Sequence, residues 1–186
     1  MFIQTEPTPN PATLKFIPGK TVLDDGTAEF RAPADAGASP LALRLFEVDG
    51  VTGVFLGSDF ISVTKREGDE WQHMKPAILG AIMEHYMSGA PVIDGGEGAD
   101  AGADEDFDPK DEDTVKTIKE LINTRVRPAV ANDGGDIVFQ GFKDGVVFLH
   151  MRGACSGCPS STATLRHGIE NLLKHFCPDV QEVRPV

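Results

Sequence analysis

The chain is 186 residues long, 40% hydrophobic and 25% charged, with a formal net charge of −12. Ordinary apolar and charged content excludes a wholly disordered chain, and the length accommodates one large domain or two small ones. The acidity argues against nucleic acid and anionic membrane surfaces, which need clustered Lys and Arg, and no apolar run approaches the roughly 18 residues that span a bilayer.

Met1 to Asn10 carries neither the basic flank and apolar stretch of a secretory signal nor the Arg-rich pattern of a transit peptide. The expected location is therefore cytoplasmic for a bacterial protein, or the mitochondrial matrix for a processed eukaryotic one. Leu14 and Phe16 alternate with Lys15 and Ile17, which predicts a strand ending at Pro18-Gly19. Phe30 closes a second extended stretch. Ser39-Pro40 is a helix start, with Ser as N-cap and Pro in the first helical position. Leu41, Leu45 and Val48 then fall near one face, and Asp49-Gly50 ends the helix. Val51 to Leu56 and Phe60 to Thr64 read as strands joined by Gly57-Ser58-Asp59. Glu70 to Tyr86 reads as a helix with an apolar stripe of Met74, Ile78, Ile82 and either Leu79 or Met83. Pro76 sets its expected start near Lys75.

From Ser88 to Asp113 the composition turns to Gly, Ala and acids, which cannot bury enough surface to offset the entropy of ordering. Residues 90–111 read as a flexible acidic linker, with a root-mean-square span of about 25 Å for some 20 residues. It separates two small α+β domains, residues 1–89 and 112–186, each expected to be a mainly antiparallel sheet packed with helices. In the second, Asp111 to Asp113 place acids at a helix start, where the macrodipole favours them. Val115, Ile118, Ile122 and Val126 give that helix its buried face, and Pro128 closes or kinks it before the turn at Asn132 to Gly135. Ile137 to Phe142 and Val146 to Met151 predict a hairpin around Asp144-Gly145. A loop from Arg152 to Pro159 leads into a helix from Ser160 to Phe176. Leu165, Ile169, Leu172 or Leu173, and Phe176 are expected to point inward. Pro178 stops this helix, and Val180 to Val183 returns to the sheet.

The cysteines are Cys155, Cys158 and Cys177, an odd and small number that does not suit a secreted disulfide framework. Cys155-Ser-Gly-Cys158 lies between a predicted strand and a predicted helix, where two intervening residues let both sulfurs face one side of a turn. Gly153 and Gly157 permit backbone conformations that a β-carbon resists. The loop is expected to be polar and exposed, with free N–H groups and the positive helix end favouring anionic sulfur. Iron–sulfur clusters and structural zinc usually take about four protein ligands, and this motif offers two. Cys177 stands about 25 Å away along the predicted helix at 1.5 Å per residue. The count points to a symmetric dimer with two cysteines from each copy around one cluster. On the residues alone an iron–sulfur cluster leads. A thiol-disulfide redox pair, a zinc-bridged interaction module and an unreactive pair stay open.

Gly153-Ala-Cys155-Ser-Gly-Cys158-Pro-Ser-Ser-Thr-Ala-Thr-Leu165, preceded by Gly134-Gly135-Asp136 and a hairpin, closely resembles the NifU-like C-terminal (Nfu) domain over residues 112–186. Thr8 to Phe16, the Gly53-Val-Phe55 stretch and Trp71 resemble the N-terminal domain of Nfu-type scaffold proteins. The resemblance implies an iron–sulfur scaffold or carrier that holds a [4Fe–4S] cluster between the subunits of a homodimer. It implies upstream cluster-assembly machinery as donor and apo-proteins as recipients, with Cys155 and Cys158 as the iron ligands. No covalent catalysis is required, so an enzyme is not expected.

Other chemistry-bearing residues read more plainly. His150 and His167 are a strand and a surface histidine, Arg152 is solvated, and Cys177 packs at a helix end. His73 and His85 share a helix face without completing a metal site. Asp24-Asp25-Gly26 is a turn, and Asp104 to Asp113 an unstructured acidic run.

Overall fold

The computed structural model describes residues 1–94, 105–156 and 159–186, with side chains for all of these except 159–161. Two units form, Met1–Asp100 and Ala101–Val186.

In the first unit, strands β1 (Gln4–Pro7), β2 (Thr13–Ile17), β3 (Ala28–Phe30), β4 (Val51–Leu56) and β5 (Ile61–Lys65) form an antiparallel sheet in the order β1-β2-β5-β4-β3. Period-two alternation sends Leu14, Phe16, Val54, Leu56, Ile61 and Val63 into one core. Helices α1 (Pro40–Phe46) and α2 (Trp71–Ser88) close it with Leu41, Leu45, Met74, Ile78 and Ile82. Ser39 caps α1 as expected: its Oγ accepts from the Ala42 N–H at 3.1 Å. Pro40 follows at the helix start. Helix α2 begins at Trp71, four residues before the expected Lys75. The Trp71 Nε1–H donates to the Pro11 carbonyl at 3.2 Å and holds the first turn, although Pro76 supplies no N–H to the ladder. Leu79 packs against the core while Met83 stays exposed, which decides between the two. Strand β1 escaped the sequence reading because its side chains are mostly exposed and show no alternation.

Both ends of the expected 90–111 linker are structured. On one side Ile93 is buried in the first core, the Ser39 hydroxyl donates to the Val92 carbonyl at 2.6 Å, and the Asp94 N–H donates to the Ala38 carbonyl at 2.7 Å. On the other, Asp106–Phe107 forms strand β6, paired in parallel with Gly141 and Phe142. Lys119 grips Glu105 at 2.7 and 2.9 Å, and a 3-10 turn spans Pro109–Asp111. A few apolar side chains and one ion pair suffice to dock these ends, so the run Asp104 to Asp113 is structured from residue 105 onward. The remaining linker residues, 95–104, lie outside the described residues.

The second unit packs helices α3 (Glu112–Leu121), α4 (Arg127–Asn132) and α5 (Pro159–Phe176) on a sheet of β6, β7 (Gly135–Lys143), β8 (Val146–Gly153) and β9 (Glu182–Pro185). β7 and β8 form the expected antiparallel hairpin, with Asp144 and Gly145 at φ 51° and 79°. The outer strands β6 and β9 run parallel to their neighbours, because helical crossovers return the chain to the sheet in the same direction. Pro128 does not end the helical run. A π-helical turn at Ile122–Val126 precedes it, and the Arg127 N–H reaches back five residues to the Ile122 carbonyl. On α5, Ile169 and Leu173 are buried as expected, with Leu172 only partly so. Phe176 is 44% exposed, contrary to expectation, under the Arg125 guanidinium at 5.1 Å. Cys177 takes the buried place at the helix end.

Candidate functional site

The hairpin positions the cysteine turn. Gly135 pairs with Gly153 at the open end of β7 and β8, so no side chain separates the strands there. Gly153, at φ 65°, turns the chain back. The Ala154 N–H donates to the Gly134 carbonyl at 3.2 Å, and the Ser156 N–H and hydroxyl both donate to the Gly153 carbonyl, at 3.1 and 3.0 Å. These bonds press Cys155 onto Gly135. A β-carbon there would lie 2.7 Å from the Cys155 sulfur, 2.7 Å from the Arg152 carbonyl oxygen and 3.1 Å from the Cys155 nitrogen. Thr162 of α5 donates from its hydroxyl to the Cys155 carbonyl at 3.1 Å, which ties the turn to the following helix.

Beneath the turn lies a buried ion pair. Asp136, 3% exposed, accepts from Arg127 through both oxygens, Nε to Oδ1 at 2.9 Å and Nη2 to Oδ2 at 2.8 Å. Its Oδ1 also accepts from the Ile137 N–H at 2.8 Å. Arg127 further donates from Nη1 to the Asn123 side-chain oxygen at 3.3 Å, so α4, the π-helical turn and β7 are locked together.

This setting corrects one expectation. Cys155 is 7% exposed and belongs to the second core, rather than standing in a polar, open loop. Burial pushes its thiol up to about 12, and the nearby carboxylates of Asp133 and Asp136 add to the effect. Loss of water and two negative charges outweigh any help from the helix end. The thiol is therefore protonated at neutral pH, and a metal ion that binds the sulfur displaces its proton to solvent.

Of the expected site residues, Cys158 lies outside the described residues, as does Gly157. Cys177 closes the far end of α5, and its thiol is raised by burial and by Asp179. His150 Nδ1 lies 3.2 Å from the Val186 carbonyl oxygen, and His167 is exposed. Arg152 is half-buried opposite Asp136. His85 is fully buried in α2 while His73 is exposed beside Glu70, so they do not converge. Arg127 and Asp133 were missed by sequence reasoning, and the Gly134-Gly135-Asp136 run was the one signal that could have found the charges around the thiol.

Two protein families match. The family described as "Scaffold protein Nfu/NifU N terminal" covers residues 3–89, and that described as "NifU-like domain" covers residues 118–184. The human protein "NFU1 iron-sulfur cluster scaffold homolog, mitochondrial" is 47% identical over 188 residues, spanning 100% of this chain and 72% of its own. The chain belongs to the NifU-like (Nfu) family. The Nfu protein of Drosophila sechellia, which bears the same name, is 50% identical over 187 residues. The chain covers 65% of the length of that fly relative. The solution structure of a NifU-like protein from Saccharomyces cerevisiae covers 50% of this chain and 84% of its own, at 26% identity and a TM-score of 0.46. Cys155 and Cys158 fall inside the NifU-like segment of this Nfu chain, and Cys177 does too.

Proposed function

We propose that the chain is an iron–sulfur cluster scaffold that binds a [4Fe–4S] cluster through Cys155 and Cys158 of two copies and passes it to apo-proteins. The observation that carries the reading is the placement of Cys155 inside a NifU-like domain, on a turn built around Gly135 and tied by Thr162 to the helix that begins at Pro159. The fly and human relatives are named iron-sulfur cluster scaffold homologs, which supports the same cargo. Those names also lend support to the mitochondrial location rather than the bacterial cytoplasm.

The cluster is cargo, and its chemistry is to accept thiolate ligands and exchange them. The chain's own residues prepare that exchange. Gly135 leaves room for the Cys155 sulfur, and the Arg127–Asp136 pair fixes the strand on which Gly135 sits. The carboxylates of Asp133 and Asp136 disfavour a free thiolate and favour a cation beside it, so iron and proton compete for the same sulfur. Each copy supplies two cysteines of the roughly four a cluster takes, and a second copy completes the set. Separation of the copies leaves each half-coordinated, which is a simple release step. No covalent bond to a substrate carbon forms, so the role is that of a carrier and not an enzyme.

Anaerobic loading with iron and sulfide, followed by metal and acid-labile sulfide analysis, tests this reading. Iron with matching sulfide, lost in Cys155→Ser and in Cys158→Ser, supports it. Zinc without sulfide would make the site a structural bridge, and a reversible disulfide with no metal would make it an oxidoreductase.

A further inference from the structure

Thr162 reaches the cysteine turn from outside it. The residue lies in the first turn of α5, which starts at Pro159, and its hydroxyl donates to the Cys155 carbonyl at 3.1 Å, seven residues back. The other bonds of the turn differ in kind. Ser156 binds the Gly153 carbonyl through its N–H and its hydroxyl, and both bonds travel with the turn if it moves. The Ala154 N–H holds the Gly134 carbonyl at 3.2 Å, a tie to the hairpin made by backbone alone. Thr162 makes its tie through a side chain, and it grips the carbonyl of the cysteine itself.

The position held in this way is a recessed one. Cys155 is 7% exposed and packs in the second core, with its sulfur against Gly135, where a β-carbon would come within 2.7 Å of it. Gly134, Gly135 and Ala154 around it are buried as well. Such a sulfur offers almost no surface to a metal held jointly with a second copy, which is what a site with half of the usual ligands requires. Bringing the sulfur out turns the Cys155 backbone, and its carbonyl must then exchange the Thr162 hydroxyl for water. A hydrogen bond of this kind biases an equilibrium by about two- to tenfold. That favours the recessed state and still yields to metal ligation.

We propose that Thr162 is a positioning residue for cluster exchange: its bond to the Cys155 carbonyl keeps the sulfur recessed in the empty chain and opens before Cys155 binds iron. If the cluster reading above holds, the released sulfur meets iron, the S–H bond gives way to an iron–sulfur bond, and the proton passes to solvent. No electron changes hands. When the cargo leaves, the sulfur recovers a proton from solvent and the Thr162 bond re-forms, which withdraws the thiol from oxidants and stray metals.

Iodoacetamide labelling of the full, unloaded chain, with fragment-ion mass spectrometry to locate each label, reads the recessed state without any cluster. Thr162→Val keeps the branched shape and deletes the donor. Cys155 should then label about two- to tenfold faster. The factor should be the same at neutral and at alkaline pH, because opening of the turn is not a titration. Cys177, 5% exposed at the far end of α5, should keep its rate, whereas a general loosening would raise it. Thr162→Ser restores the hydroxyl and should restore slow labelling. Anaerobic loading with iron and sulfide should run faster in the valine variant than in the unsubstituted chain. An unchanged Cys155 rate, an equal rise at Cys177, no rescue by serine or slower loading would each overturn the proposal. Failure of the cluster reading shows differently, as an unsubstituted chain that takes up no iron with sulfide while the labelling pattern stands.

Discussion

A β-carbon on Gly135 would stand 2.7 Å from the sulfur of Cys155, closer than any unbonded pair of such atoms can rest. The start of β7 and the cysteine turn are therefore coupled through a contact that only glycine allows.

Gly135→Ala should push the turn off the strand, since the second atom in its way is the Arg152 backbone oxygen. A loss of about 1–3 kcal/mol in unfolding free energy is expected, as for other overpacked sites. Metal loading at Cys155 should fall with it. Gly168→Ala in α5 is the control, because among the described residues nothing beyond its neighbouring helix backbone lies within 4 Å of its β-carbon position. That change should stabilise by about 0.5–1 kcal/mol through helix propensity. Denaturant titration of both variants checks the pair.

Arg127→Gln removes the bidentate partner of a carboxylate that is 3% exposed. Removing one partner of a buried ion pair costs up to about 3–5 kcal/mol, so the second unit should unfold at lower denaturant. Backbone hydrogen exchange at Ile137, whose N–H is held by Asp136, should accelerate in the same variant.

The Cys155 thiol, pushed up to about 12, should resist alkylation at pH 8. Thiolate is the reacting species, so labelling should run roughly 100- to 1,000-fold slower than for an unshifted cysteine and rise with pH towards 12. Asp133→Asn removes one of the raising charges and should speed it. Mass spectrometry of the peptide containing Cys155, after iodoacetamide treatment of the unloaded chain, gives the rate.

Much of this arrangement was legible in the sequence. Ser39-Pro40 announced its helix because capping is local, and Asp144-Gly145 announced its hairpin because positive φ is costly for most residues. The cysteine spacing marked the candidate site. What the sequence hid was long-range. Burial of Cys155 depends on Gly135 across the hairpin, and the charge around it comes from residues about twenty positions upstream. Phe176 looked like a core residue by its spacing, yet the chain placed Cys177 inside and left Phe176 to Arg125. Docking of β6 required Gly141, where a β-carbon would meet the Asp106 carbonyl at 2.6 Å, and no local pattern in the acidic run foretells it.

His85 gives the first unit an acid-sensitive element. Burial, and then the charge of Arg44, lower its pKa, and a contact with the Ala90 backbone offsets part of this. Among the described residues, neither ring nitrogen, both buried, has a hydrogen-bond partner of good geometry. A folded-state pKa below the ordinary 6.5 means that the unfolded chain takes up the proton first. The stability from a neutral His85 is present above pH 6.5 and lost as pH falls through the folded value. Fluorescence of Trp71, the single tryptophan, follows this unit alone during urea unfolding. The midpoint should drop between neutral and acidic pH, and His85→Gln should flatten that part of the dependence.

Native mass spectrometry of anaerobically loaded protein reads directly how many chains share one cluster. The expected species is two chains with about four irons and four sulfides, reverting to single chains when a chelator strips the metal. A cluster held by one chain, or a protein that stays colourless and single after loading, would contradict it.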